Sequence, residues 1–141
     1  MNFRFSARMV YALIALKHIG DGVITLHEIA SKYPDMSLHF LEQIMRTLRD
    51  SGIVRSIRGP GGGYTLGKSS RTVTLRDIVL LFEPGERYDR YVPEEIVKLE
   101  RIARDRTLKA LEDCTLLDFK RDTPFMYVNY NSDIIGHQHG S

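Results

Sequence analysis

The chain has 141 residues, 43% of them apolar and 27% charged, and a formal net charge of +2. That size suits one packed domain with an appendage. No apolar run reaches the roughly 18 to 20 residues that a membrane-spanning helix requires, and the single cysteine, Cys114, excludes both an internal disulfide framework and a four-cysteine zinc site.

The opening stretch from Met1 to Gly20 carries Arg4, Arg8 and Lys17 in a helical pattern without a small-residue cleavage site, so a cytoplasmic protein is expected. The charge is unevenly spread. Residues 1–80 hold 11 Lys or Arg against 6 Asp or Glu, whereas residues 81–141 hold 9 against 12. A basic front half and an acidic rear half suit a DNA-binding unit joined to a segment that binds protein.

Ser6 is placed to cap a first helix whose apolar residues Met9, Val10, Leu13, Ile14, Leu16 and Ile19 span a broad face, and Gly20-Asp21-Gly22 ends it. Arg4, Ser6, Arg8 and Tyr11 are the polar residues near its start. They can meet phosphates, because a helix N-terminus offers unpaired N–H groups, or they can simply face solvent. Thr25 and Glu28 stand at capping-box spacing before a short helix running to about Lys32. Tyr33 to Met36 reads as a turn.

Ser37 then caps an amphipathic helix with apolar residues at Leu38, Leu41, Ile44, Met45 and Leu48. Its polar side carries His39, Glu42, Gln43, Arg46 and Arg49, side chains that can hydrogen-bond base edges or phosphates in a major groove. Two short helices across such a turn form a helix-turn-helix, with the early residues of the second facing bases. After Ser51-Gly52, residues 53–58 alternate apolar and basic as a strand would, and Arg58, Gly59, Pro60, Gly61, Gly62, Gly63 and Tyr64 form a tight hairpin into a second strand over 64–66. The order of helix, strand, basic glycine tip and strand is that of a winged helix. The glycine run is no nucleotide cradle: it lacks a following Lys-Ser/Thr and has no helix behind it.

Thr74 and Asp77 cap a further helix to about Phe82, and Glu83-Pro84-Gly85-Glu86 breaks it. Pro93-Glu94-Glu95 begins a long helix through about Asp113, with a narrow apolar stripe at Ile96, Leu99, Ile102, Ala103, Ala110 and Leu111. A helix of that kind is marginal alone, which points to a dimer helix, the other reading being a helix that closes the protomer's own core. Thr115 opens a brief final helix. Residues 124–130 have strand-like composition, and 136–141 form a terminal tail.

Together the runs 6–13 (SARMVYAL), 38–66 with its RGPGGGY tip, and 74–79 (TLRDIV) resemble the Rrf-two (Rrf2) family of winged helix-turn-helix transcriptional regulators, the IscR, NsrR and CymR type. The resemblance implies a mainly α fold with a small β-wing, divided into a DNA-binding domain over 1–83, a linker over 84–92, a dimerisation helix and short final helix over 93–121, and a tail over 122–141. It implies a homodimeric repressor on a pseudo-palindromic operator of double-stranded DNA. By position, Ser37, His39, Phe40, Glu42 and Gln43 would lie at the major groove, Glu42 and Gln43 reading bases, while Arg58 would enter the minor groove. Glutamate suits a cytosine amino group, glutamine suits adenine, and arginine suits a narrow minor groove.

Cluster-binding members of the family carry three closely spaced cysteines before the dimer helix. The corresponding stretch here has none, so no iron-sulfur cluster is expected, thiolates being the usual ligands. Cys114 is a candidate redox residue, although Glu112, Asp113 and Asp118 would raise its pKa, and a buried small hydrophobe is the plainer reading. His137 and His139 are too few for a metal site. One family member docks with a biosynthetic enzyme, so a partner enzyme, with DNA binding secondary, is the alternative. No catalytic constellation can be assembled from these motifs.

Overall fold

The structure is a computed structural model that describes residues 3–83 and 91–121. The chain runs α1 (Ala7–His18), α2 (Leu26–Ala30), α3 (Leu38–Asp50), β1 (Val54–Ile57), β2 (Gly63–Leu66), α4 (Leu75–Phe82), α5 (Glu94–Ala110), a 3-10 turn (Leu111–Asp113) and α6 (Leu116–Lys120). The expected linker falls largely on 84–90 and the expected tail on 122–141. Both of those stretches, with His137 and His139, lie outside the described residues.

Local capping chemistry sets most helix starts. The hydroxyls of Ser6, Thr25, Ser37, Thr74 and Thr115 each accept from the backbone N–H three residues on, and in the three threonine caps the Glu or Asp at that position reaches back to close a capping box. β1 and β2 pair antiparallel, with Val54 opposite Leu66 and Ile57 opposite Gly63. The hairpin is tied to the α1–α2 loop: Ile24 and Tyr64 exchange backbone hydrogen bonds of 3.0 and 2.8 Å, and the Leu66 N–H donates to Gly20 O at 2.9 Å. Thr65, buried, donates to the carbonyls of Gly20 and Asp21. Thus the root of the wing is fixed while its tip stays exposed.

The core is built from Met9, Ala12, Ala15, Leu16 and Ile19 of the first helix and its cap, Leu41, Ile44, Met45 and Leu48 of α3, and Ile78, Val79 and Phe82 of α4, with Leu108 and Leu116 joining it from the rear half. Val10, expected on the buried face, is instead 41% exposed. The buried face is centred on Ala12 and Ala15, whose small side chains let neighbouring helices approach closely, and this turns Val10 outward.

The long helix is shorter than expected. It ends at Ala110 and tightens into the 3-10 turn before Cys114. From there the chain returns across the front half: the Leu75 N–H donates to Cys114 O at 2.7 Å, the Leu116 N–H to Val73 O at 2.7 Å, and the Leu117 N–H to Ser70 O at 2.9 Å. Arg76 of α4 pairs with Glu112. The Lys120 ammonium donates to the carbonyls of Leu16, Lys17 and Ile19 at the end of α1, where unpaired C=O groups and the helix dipole favour a cation. Among the described residues no helix is long and apolar enough to cross a membrane.

Candidate nucleic-acid interface

The two sides of α3 differ sharply. Leu41, Ile44, Met45 and Leu48 are at most 1% exposed, whereas His39, Glu42, Gln43, Arg46 and Arg49 stand in solvent. Burial of the apolar row, worth roughly 1.5 to 3 kcal/mol per large side chain, fixes the rotation of the helix and so aims the polar row outward. Gln43 Nε2 lies 3.2 Å from His39 Nε2, one turn earlier, so the two side chains form a connected polar pair ahead of any ligand. Glu42 and Arg46 lie on the same exposed side.

Tyr11 and Phe40 acquire structural roles. The Ser37 N–H donates to the Tyr11 hydroxyl at 3.0 Å, and the Tyr11 ring meets Phe40 edge to face at 4.6 Å. Each contact joins α1 to the first turn of α3, so the angle of the helix is set by a brace as well as by the core. Ser37 itself is exposed and accepts from the Phe40 N–H at 3.2 Å. Phe40 is half-buried against the brace.

The start of α1 is not an open anion site. The Ser6 N–H and hydroxyl both donate to Glu83 Oε1 at 3.0 Å, so a carboxylate from the end of α4 already occupies the position where a phosphate was one expectation. Local reading cannot see this partner, which lies 77 residues away. Arg4 and Arg8 remain exposed, with the Arg8 guanidinium 5.8 Å from the centre of the Phe82 ring.

At the wing, Arg58 is exposed at the mouth of the turn. Gly59 and Gly61 take positive φ of 91° and 74°, conformations in which L side chains are strained. Gly62 sits so close to the Ile57 carbonyl that a Cβ would collide with it, and its N–H donates to Gly59 O at 2.9 Å. Gly63 begins β2 against the carbonyl of Ile24, and Tyr64 is half-buried beside it. The glycines therefore compress the tip and leave the arginine as its outstanding charge.

Cys114 is half-buried at the edge of an apolar cavity of about 140 Å³ lined by Phe5, Leu13, Ile78, Leu116 and Phe119 among others. Burial pushes its thiol above the ordinary value, and Asp118 pushes it further. Expectation assigned that effect to carboxylates, Glu112 and Asp113 included; desolvation is the larger cause, and of the three only Asp118 contributes. Sequence reading also missed Glu83, Lys120 and the Arg76–Glu112 pair. Each acts across a long sequence separation, and no local motif marks it.

The Rrf2 family model, described as an iron-dependent transcriptional regulator, matches residues 3–121. The HTH-type transcriptional regulator CymR of Bacillus subtilis is 39% identical over 109 residues, covering 74% of this chain and 77% of CymR. The HTH-type transcriptional regulator IscR of Cereibacter sphaeroides is 35% identical over 82 residues, covering 54% of this chain and 52% of IscR. The matches span about half the length of several such relatives. Among solved structures, that of CymR, the global cysteine regulator of Bacillus subtilis, aligns with a TM-score of 0.66 at 33% identity, over 86% of this chain and 99% of that one.

Proposed function

The chain belongs to the Rrf2 family of helix-turn-helix transcriptional regulators, and from that premise we propose that it acts as a homodimeric, sequence-specific repressor on a pseudo-palindromic operator. Residues 1–83 would hold the DNA and 93–121 the partner. The observation that carries the reading is the exposed row His39, Glu42, Gln43 and Arg46 on a helix whose rotation is fixed by burial and whose first turn is braced by Tyr11. Such a row can read a major groove, and a fixed helix loses little freedom when it does so. Glu42 and Gln43 read bases, and Arg58 enters the flanking minor groove. A dimer lying across successive grooves represses by occupying promoter DNA.

The proposed regulator works without a cysteine-ligated cluster. The whole sequence offers one thiol, and its surroundings are apolar and raise its pKa, the opposite of what a thiolate ligand needs. That donor set does not fit such a cluster, and no step of recognition is assigned to one.

The test is fluorescence anisotropy on a promoter fragment recovered by genomic footprinting. Gln43→Ala and Arg58→Ala should each weaken binding about tenfold, Gln43→Ala by relaxing sequence preference and Arg58→Ala together with a shallower salt dependence. If both variants bind as tightly as the parent at physiological salt, this assignment is wrong.

A further inference from the structure

A second cavity lies between the N-terminal segment, the end of α4 and the last turns of α5. It has a volume of about 250 Å³, and Phe5, Val79, Leu108 and Leu111 give it an apolar floor. Its polar wall is formed by Arg4, Glu83, Arg104 and Thr107. Two of these four are already engaged. The Glu83 carboxylate accepts from the Ser6 N–H and hydroxyl, and the Thr107 hydroxyl donates to Ala103 O at 2.8 Å. Arg4 and Arg104 form no ion pair with a carboxylate among the described residues. What the groove offers an anion is therefore two guanidinium groups above an apolar surface, their two positive charges outweighing the single negative charge of Glu83, whose Oε1 is turned to the Ser6 donors.

We propose that this groove binds a small organic anion with an apolar body, a monocarboxylate of about six to eight carbons. Arginine presents a planar fork that matches a carboxylate with two parallel hydrogen bonds, and it is less strongly hydrated than an ammonium, so little is lost when it engages at a half-covered site. The floor accepts the hydrocarbon, at about 25 cal/mol for each Å² removed from water. The cavity beside Cys114 makes the contrast: no charged residue lines it, so it could not select an anion. Arg4 precedes α1 and Arg104 belongs to α5, so a bound carboxylate would join the front half of the molecule to its long helix.

Isothermal titration calorimetry of the full chain without DNA, using hexanoate, 1-hexanol and hexylamine, tests the site independently of operator binding. Hexanoate should bind at least tenfold more tightly than hexanol, and hexylamine should give no saturable heat. Arg104→Leu should weaken hexanoate at least tenfold while leaving the melting temperature unchanged, and Arg104→Lys should restore part of the loss. Hexanol binding as tightly as hexanoate would reduce the groove to an apolar surface and overturn the proposal. Absence of heat with hexanoate, as when a second copy of the chain covers the groove, would overturn it too, as would an Arg104→Leu protein that binds hexanoate normally.

Discussion

Helices α3 and α5 have comparable length, 13 and 17 residues, and opposite fates for their apolar sides. On α3 every residue of the central stripe is buried within its own protomer. On α5 Ile96, Leu99 and Ile102 are 42%, 61% and 50% exposed, and only Leu108, near the end, enters the core at 7%. A helix that buries its stripe is positioned by its own chain, whereas one that leaves its stripe in water gains its stability from whatever covers it. On the proposed function, the first belongs to a rigid DNA-reading half. The second marks a surface whose partner, on the proposed function, is another copy of itself.

The largest effect that separates these two regions should come from α3. Ile44→Ala removes a side chain only 1% exposed and should cost about 2 to 5 kcal/mol of protomer stability, the transfer term plus the cavity left behind. Chemical denaturation at two protein concentrations tenfold apart checks it: the drop relative to the parent should be the same at both. A drop that changed with concentration would mean that α3 also depends on the partner, and the contrast would fail.

Next comes α5. Leu99→Glu combined with Ile102→Glu places charges on the exposed stripe, where burial against a twin would leave them unpaired. The far-ultraviolet circular dichroism should be retained and sedimentation should show a monomer, while operator affinity drops about a hundredfold because the second half-site no longer adds to the first. A variant that remains dimeric would assign the stripe to another role and restore the reading in which α5 simply closes its own protomer.

How much of this could be read from the chain follows from the range of each interaction. The caps at Ser6, Thr25, Ser37, Thr74 and Thr115 were legible because donor and acceptor lie three residues apart. The buried row of α3 was legible because its period is that of a helix. The orientation of Val10 was not, since Ala12 and Ala15 give a weak apolar signal yet are fully buried. Nor was the role of Tyr11, which depends on the Ser37 N–H 26 residues on. Glu83 and Lys120 read as an ordinary helix break and an ordinary final turn, yet they satisfy the two ends of α1 from opposite parts of the chain. Of the candidate interface, the exposed row and the wing tip were visible in advance, and the brace that holds the row in place was not.

The smallest predicted effect asks whether the helix-turn-helix half has a pH dependence that α5 lacks. His18 ends α1, and its Nε2 lies 2.7 Å from the Tyr33 hydroxyl in the turn before α3. Burial lowers its pKa below the ordinary 6.5, and Lys32, Lys120 and Lys17 lower it further. The unfolded chain therefore takes up this proton first as the solution is acidified. The contribution of His18 is complete above about pH 6.5 and is lost as the pH falls from there toward the folded-state value. Between pH 7.5 and 5.5 the melting temperature of the parent should fall more steeply than that of His18→Gln, which keeps a partner for Tyr33 but cannot be protonated. Self-association through α5, followed by sedimentation on the same samples, should show no difference between the two proteins. Equal melting slopes would remove His18 as the cause, and a matching shift in self-association would show that the pH response is not confined to the helix-turn-helix.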